Sequence, residues 1–232
     1  MDSDSLEVLY EDNHLLAVCK PAGLPTMGTP TDRPTLLAIA KSYVKRRYHK
    51  PGNVYLGVMS RLDAPVSGVV LLARTSKAAR RITEQFRSRA VEKTYWALVE
   101  GKVQPPSGDC VDWVAASPAV AYNARHRRMY IVGPKLPGAK EARLSYRRVE
   151  RLAADSLLEV LLETGRKHQI RLQLAHRGYP ILGDRKYGSR RRWPSGIALH
   201  ARRLVIQHPV RGQPLELEAP LPAAWHGFGV TG

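Results

Sequence analysis

The segment that most constrains the fold is a short polar loop between two apolar runs. Residues 61–68, with the sequence R-L-D-A-P-V-S-G, separate the runs at 54–59 and 69–73. Both runs predict strands, and the second has the composition of a buried one. Asp63 is costly to keep ionised beside a core unless a cation or hydrogen bonds stabilise it. A loop Asp that only caps a turn fits the segment taken alone equally well.

Charge is the unusual feature of the composition. The 232 residues include 37 Lys and Arg but only 20 Asp and Glu, which gives a formal net charge of +17. Such an excess favours an anionic partner, with nucleic acid first. The sequence has no long uncharged apolar run and no signal-peptide pattern at its N-terminus, so we expect a cytoplasmic protein without membrane association. Cys19 and Cys110 are too few for a metal cluster and are expected to be reduced core thiols.

The pattern of apolar residues predicts short strands and a few helices. Residues 111–130 are hard to phase, and strands are assigned there only weakly. Mostly antiparallel strands with flanking helices indicate an α+β fold, and the length suits a single domain over residues 1–232. The predicted helices are 35–48, with Thr35 as N-cap, 76–89 and 168–176; the other predicted strands are 6–10, 15–19, 92–99, 142–152, 157–163, 202–207 and 214–219.

Several further segments, in a fixed order, make the Asp63 loop more specific. They are E-K-T-Y-W-A at 92–97, T-G-R-K-H-Q-I-R at 164–171, G-D-R-K-Y-G at 183–188 and L-H-A at 199–201. Together with R-L-D-x-x-x-S-G at 61–68, this order resembles the RluA-type RNA pseudouridine synthases over about residues 6–220. Two positions depart from the usual family form: Ser60, where a His is common, and Val66, where a Thr is common.

The resemblance implies a pseudouridine synthase fold with a central catalytic cleft, and three catalytic residues. Asp63 would be the catalytic carboxylate, Arg171 the guanidinium that keeps it charged, and Tyr95 the ring beside the uracil. From the residues alone, Arg171 is equally well a surface residue of an amphipathic helix. A Tyr at the centre of a strand is more often part of the core.

The resemblance also implies a set of substrate-binding residues. Arg61 would occupy the space that the extruded base leaves, although a local pair with Asp63 or a backbone carbonyl is an alternative. Arg166, His168 and Gln169 complete the set. Basic clusters suited to phosphate contacts lie at 45–50, 80–81, 125–128 and 185–192.

We therefore expect an enzyme that isomerises a uridine in an rRNA or tRNA stem-loop, acting as a monomer and needing no metal or other cofactor. Only about five residues precede the first predicted strand, so no additional N-terminal S4 domain is expected. Two other functions remain open: a non-catalytic RNA-binding protein with the same fold, and a hydrolase that cleaves a glycosidic bond. The order of bond-making stays open as well.

Overall fold

A computed structural model describes residues 6–28, 33–116 and 128–230. These residues fall into two compact units. The first contains the described residues up to 93 together with 200–226, and the second contains those from 94 to 199 together with 227–230. The prediction of one domain over 1–232 stays a prediction.

The described residues form the following helices and strands. The helices are α1 (Leu36–Arg47), α2 (Ser76–Arg87) and α3 (Gln169–His176), and the strands are β1 (Val8–Glu11), β2 (Leu15–Lys20), β3 (Gly57–Val58), β4 (Ser67–Ala73), β5 (Glu92–Glu100), β6 (Ser107–Ala116), β7 (Met129–Val132), β8 (Lys140–Arg151), β9 (Asp155–Leu162), β10 (Leu199–Gln207) and β11 (Pro214–Glu218). Short 3₁₀ turns lie at Arg185–Tyr187 and Ala223–Phe228. This mixture confirms the predicted α+β class.

Local sequence signals explain the two helices of the first unit. The Thr35 hydroxyl accepts a hydrogen bond from the Ala38 backbone N–H at 3.2 Å, as predicted for an N-cap. Thr75 caps α2 in the same way through Ala78 N–H. Helix α2 ends two residues earlier than predicted, and the chain then turns through Arg89, whose φ is +60°.

The sheet of the first unit is centred on β4, whose seven residues are all buried. Strand β2 pairs antiparallel with one edge of β4 over six residues, and β1 lies beyond it, which confirms the predicted N-terminal hairpin. The other edge of β4 pairs in parallel with β10, and β11 lies beyond β10. The helix α2 packs on this sheet through Ala78 and Ile82.

The strand predicted at residues 54–59 is mostly wrong. Only Gly57 and Val58 form a strand, β3, which pairs with Ala73 and Leu72 of β4. In the register of β3, residues 54–56 would lie opposite 74–76, but β4 ends at Ala73 and α2 begins at Ser76. The first half of the apolar run therefore has no β4 residues to pair with.

The second unit contains an antiparallel sheet in the order β5-β9-β8-β6-β7. The predicted pair at 142–152 and 157–163 is confirmed as β8 and β9. The stretch that was hard to phase contains the end of β6 and the start of β7, while residues 117–127 lie outside the described ranges. Leu172 of α3 packs against Val114, Ala142 and Tyr187.

Both cysteines are buried and free, which confirms the prediction of core thiols. Burial raises the pKa of Cys19 to about 12 and that of Cys110 to about 11, so both stay protonated. Among the helices in the described ranges, none combines the length and apolar character needed to cross a bilayer.

The parallel pairing of β4 with β10 depends on a glycine. Gly68 has φ +117°, and a Cβ atom there would lie 2.2 Å from the carbonyl oxygen of Ala201. Only a residue without a side chain tolerates both this backbone conformation and this approach. The register also places Ser67 beside His200.

We expect Gly68→Ala to lower the free energy of unfolding by about 3 kcal/mol or more, because the added Cβ would clash with backbone atoms of Ala201 and no rotamer change relieves that clash. Urea unfolding measures the effect. Gly52→Ala in the same unit is the control, since no atom lies within 4 Å of its added Cβ, and it should change stability by less than about 1 kcal/mol. Equal effects of the two substitutions would contradict the prediction.

Candidate active site

The Asp63 loop is held by hydrogen bonds on both sides of the aspartate. On one side, the Thr26 hydroxyl donates to the Leu62 carbonyl at 2.8 Å and accepts from the Leu62 N–H at 3.2 Å. On the other side, the Gly23 N–H donates to the Ala64 carbonyl at 2.7 Å. Asp63 is half-buried, and its own carbonyl accepts from Val66 N–H in a turn. The backbone around the carboxylate is therefore fixed by the turn that follows β2.

Lys20, the last residue of β2, holds that turn in place through its side chain. Its side chain is fully buried, and its ammonium donates to the carbonyls of Pro21 and Leu24 at 2.8 Å and of Ala64 at 3.2 Å. Burial lowers the pKa of Lys20 to about 8, and the negative charge of Asp63 opposes that decrease. Lys20 is thus a buried cation that both anchors the loop and interacts electrostatically with Asp63.

Ser67 and His200 support the loop from the sheet side. The Ser67 hydroxyl lies 2.9 Å from His200 Nδ1, and His200 Nε2 lies 3.3 Å from the Ala219 carbonyl. Burial lowers the pKa of His200 to about 4, so the ring is neutral at pH 7. Because a carbonyl can only accept, the proton is on Nε2, and Nδ1 accepts from Ser67. His200 is therefore a structural hydrogen-bonding residue.

The two departures from the family pattern have local roles. The Ser60 hydroxyl accepts a hydrogen bond from the Leu71 N–H at 3.0 Å, so it joins the entry of the loop to β4. Val66 is buried, with 3% of its surface exposed. Arg61, between Ser60 and the aspartate, is exposed to solvent. The departures at Ser60 and Val66 therefore leave the carboxylate of the loop unchanged.

In the second unit, Arg171 forms a buried ion pair with Asp184. Arg171 Nε lies 2.7 Å from Asp184 Oδ2, and Nη2 lies 2.9 Å from Oδ1. The side chains are 6% and 2% exposed. Two parallel hydrogen bonds fix the plane of the guanidinium as well as its position. The sequence did not identify Asp184 as the partner, and the predicted contact of Arg171 with Asp63 stays a prediction.

Tyr187 connects this ion pair to the start of α3. Its ring centroid lies 5.2 Å from the guanidinium carbon of Arg171. Its hydroxyl accepts from the Met129 N–H at 3.0 Å and lies 2.8 Å from His168 Nδ1. His168 itself adopts φ +55°, a left-handed conformation that places it just before the helix. Burial raises the pKa of Tyr187.

Gln169 and Arg166 order the loop that leads into α3. Gln169 is 3% exposed; its side-chain oxygen accepts from the Thr164 hydroxyl and the Arg166 N–H, and its Nε2 donates to the Arg143 carbonyl. Arg166 Nε donates to the Glu141 carbonyl at 2.8 Å. These contacts give both residues a role within the fold. Their predicted contact with substrate stays a prediction.

Tyr95 lies at the centre of β5, where it pairs with Val160 of β9 and is half-buried. The strand context predicted for Tyr95 is therefore confirmed. Its predicted position beside the uracil stays a prediction.

The basic clusters differ in how far their side chains are engaged. Residues 45–50 at the end of α1 are all exposed. In the cluster at 185–192, Arg190 and Arg192 are exposed, whereas Arg191 Nη1 lies 2.6 and 2.7 Å from the two carboxylate oxygens of Asp155. Arg191 thus supports the loop. Of the cluster at 125–128, only Arg128 lies within the described residues.

Sequence reasoning did not identify three residues that shape these surroundings: Lys20, Asp184 and Tyr187. Asp184 and Tyr187 lie in the G-D-R-K-Y-G segment at 183–188, but that sequence does not indicate which partners their side chains contact. Among the described residues, no group of three or more His, Cys, Asp and Glu side chains is arranged to hold a metal ion.

Comparison with known proteins assigns the family. The family of RNA pseudouridylate synthases matches residues 14–176, most of the chain. The chain belongs to this family. The predicted family is thereby confirmed, and with it membership of an enzyme family.

Individual relatives agree with this assignment. Ribosomal large subunit pseudouridine synthase D of Xanthomonas campestris pv. campestris is 36% identical over 234 residues, covering 94% of this chain and 66% of the relative. tRNA pseudouridine synthase C of Pectobacterium carotovorum subsp. carotovorum is 32% identical over 249 residues, covering 96% and 61%. The chain thus spans about two thirds or less of the length of these relatives.

The fold has a close counterpart among solved structures. Human RNA pseudouridylate synthase domain containing 4 superposes with a TM-score of 0.78 at 24% identity, covering 98% of this chain and 95% of the human chain. The predicted pseudouridine synthase fold is therefore confirmed.

Lys20 predicts a specific pH dependence. Its folded pKa, about 8, lies below the ordinary value of 10.5, so folding releases a proton between these values and the cost of burying the charge disappears as pH rises. We expect the unfolding free energy of the native protein, relative to Lys20→Met, to rise by about 3 kcal/mol between pH 8 and 10.5. Urea unfolding of both proteins across this range measures the difference. A constant difference would contradict the account of Lys20.

Asp184→Asn should destabilise the protein by about 3 kcal/mol or more, because it leaves the buried guanidinium of Arg171 without its counter-charge. Glu159→Gln is the matched control: it removes a carboxylate from the pair with Arg147, whose side chain is 64% exposed, and should cost less than about 1 kcal/mol. Thermal and urea unfolding compare the two. Similar losses in both variants would show that the Asp184 pair contributes no more than a surface pair.

Proposed function

We propose that this protein converts a uridine in structured RNA to pseudouridine. Its membership of the RNA pseudouridylate synthase family supports the reaction, and the anchored Asp63 loop is the observation that carries it. The backbone hydrogen bonds on both sides of Asp63 hold one carboxylate in place, which is the principal requirement of this chemistry. The net charge of +17 suits a polyanionic substrate.

The reaction is an isomerisation in which atoms balance within the nucleotide. The bond from uracil N1 to ribose C1′ breaks, the base turns, and a bond from C5 to C1′ forms. C5 loses a proton, and N1 gains one. No electron acceptor or transferred group is required, so the protein has to supply a carboxylate, proton transfer and a pocket for the detached base.

Asp63 is the proposed catalytic carboxylate. It could attack C1′, remove a ribose proton or add to the uracil ring, and each of these steps needs the ionised form. Lys20 provides a nearby positive charge within the same unit, and we propose that Arg171 provides a second. The ion pair with Asp184 orients that guanidinium for the role.

Tyr95 and Arg61 are the proposed contacts to the base and to the space it leaves. A target uridine has to leave its stack to reach a carboxylate, at a cost of a few kcal/mol. Arg61 is exposed and lies two residues before Asp63, and we propose that it fills the vacated position. Tyr95 would stack beside the uracil and assist proton transfer at C5. His168, Arg166 and Gln169 would act through the loop that they order.

Both rRNA and tRNA are candidate substrates, since the relatives include proteins named for each. We propose large-subunit rRNA as the first to test, because the relative named for it shares the higher identity of the two. The exposed basic residues at 45–50, with Arg190 and Arg192, are the proposed phosphate contacts. We propose that the protein acts as a monomer in the cytoplasm.

Asp63→Asn should abolish pseudouridine formation, a loss of at least about 10³-fold, while RNA binding stays within about twofold, because the carboxylate acts on the reacting nucleotide and the charge of the binding surface is almost unchanged. The measurement is tritium release from transcripts labelled at uridine C5. Arg190→Ala is the matched control: it should weaken binding and reduce its salt dependence by a slope of about 0.7–0.9 while sparing turnover at saturation.

The same assay separates the other two functions. A non-catalytic RNA-binding protein would release no tritium in its native form, and a hydrolase would release free uracil. An active Asp63→Asn protein would rule out the proposed mechanism.

A further inference from the structure

A groove of about 320 Å³ lies between β7 and α3 in the second unit. Its volume is at the lower end of the range of about 300–1,000 Å³ that is typical of small-ligand sites. It is separate from the residues proposed above for catalysis, since none of Asp63, Tyr95 and Arg171 lines it. The lining residues are Arg128, Met129, Tyr130, Ile131, Leu172, Ala175, His176 and Tyr187.

Two tyrosine rings and one guanidinium are among the groups that line the groove. Tyr130 is 36% exposed, so its ring is accessible, whereas Tyr187 is buried and fixed by its hydroxyl hydrogen bonds. The guanidinium carbon of Arg128 lies 5.8 Å from the centroid of the Tyr130 ring and 5.2 Å from that of Tyr187. A planar group entering here meets flat aromatic and guanidinium surfaces.

The chemistry of the lining selects for a planar ligand that carries negative charge. Four of the lining residues are apolar: Leu172 and Ala175 from α3, and Met129 and Ile131 from β7. The lining residues include the cation of Arg128 and the exposed His176, and they include no carboxylate. An unpaired nucleotide has both the planar group and the negative charge, because its base stacks on aromatic and Arg planes while its phosphate pairs with a cation.

We propose that this groove binds one unpaired base of the RNA, from a nucleotide other than the uridine that is modified. The inference rests on the proposed action on RNA and adds a second base-binding position to it. Stacking on Tyr130 holds the base, and Arg128 pairs with the adjoining phosphate. The groove would thus favour RNA whose modified uridine has a neighbouring base free to leave the stack.

The test compares two probes of equal charge at one fixed salt concentration: a short oligouridine and an abasic ribose-phosphate oligomer of the same length. Tyr130→Ala should bind the oligouridine about five- to tenfold more weakly and the abasic oligomer normally. Tyr130→Phe keeps the stacking ring and should bind both as the native protein does. Tyr55→Ala, which removes another exposed tyrosine in the first unit, should change neither.

A second variant tests the groove without removing an aromatic ring. Ala175→Leu adds bulk on the α3 side, and it should likewise weaken binding of the oligouridine alone, provided that its thermal melting matches the native protein. Equal losses with both probes, or no loss in either variant, would overturn the proposal. Tritium release decides the proposed reaction separately, so an active enzyme with unaffected groove variants would reject only the groove, and an inactive protein with base-selective loss would reject only the reaction.

Discussion

A fully buried ammonium group is the interaction on which the Asp63 loop depends. Moving a charge into a protein interior costs several kcal/mol, and it is tolerated only where acceptors replace the lost water. The Lys20 ammonium donates hydrogen bonds to three backbone carbonyls, and one of them is that of Ala64, the residue after Asp63. The turn after β2 and the loop before β4 are therefore one structure, because removing the lysine would leave carbonyls in both without their donor. These hydrogen bonds make the backbone beside Asp63 rigid, and other interactions in the unit offset the free energy of burying the Lys20 charge.

The second unit holds its proposed catalytic cation by a related arrangement. Arg171 is buried on α3, and the two oxygens of Asp184 fix its guanidinium in orientation as well as in charge. A buried ion pair is weak evidence for stability, since well-packed apolar residues often stabilise as much. Here the ion pair fixes the orientation of Arg171, because a guanidinium held at two of its nitrogens cannot rotate toward another anion. In both units, then, a buried charge with a fixed set of partners positions the group that we propose for chemistry.

Sequence reasoning succeeded where the signal is local and failed where partners are distant. The cap of α1 was predicted at Thr35, whose hydroxyl accepts from an N–H three residues away. The strand predicted at 54–59 is reduced to Gly57–Val58 because β4 ends at Ala73, and no pattern within the run indicates where its partner strand ends. The predicted helix contains Arg171, but no local pattern indicates which carboxylate pairs with it. The helix itself begins one residue later than predicted, because His168 takes a left-handed conformation.

Tyr187 shows how the proposed base-binding groove relates to the Arg171 ion pair. The Tyr187 ring lines the groove. The guanidinium carbons of Arg128 and Arg171 each lie 5.2 Å from the centroid of this ring. Its hydroxyl meanwhile joins the first residue of β7 to His168 at the start of α3. A base stacked in the groove would therefore contact the ring that packs against Arg171. Tyr187 therefore belongs both to the lining of the proposed groove and to the packing around Arg171.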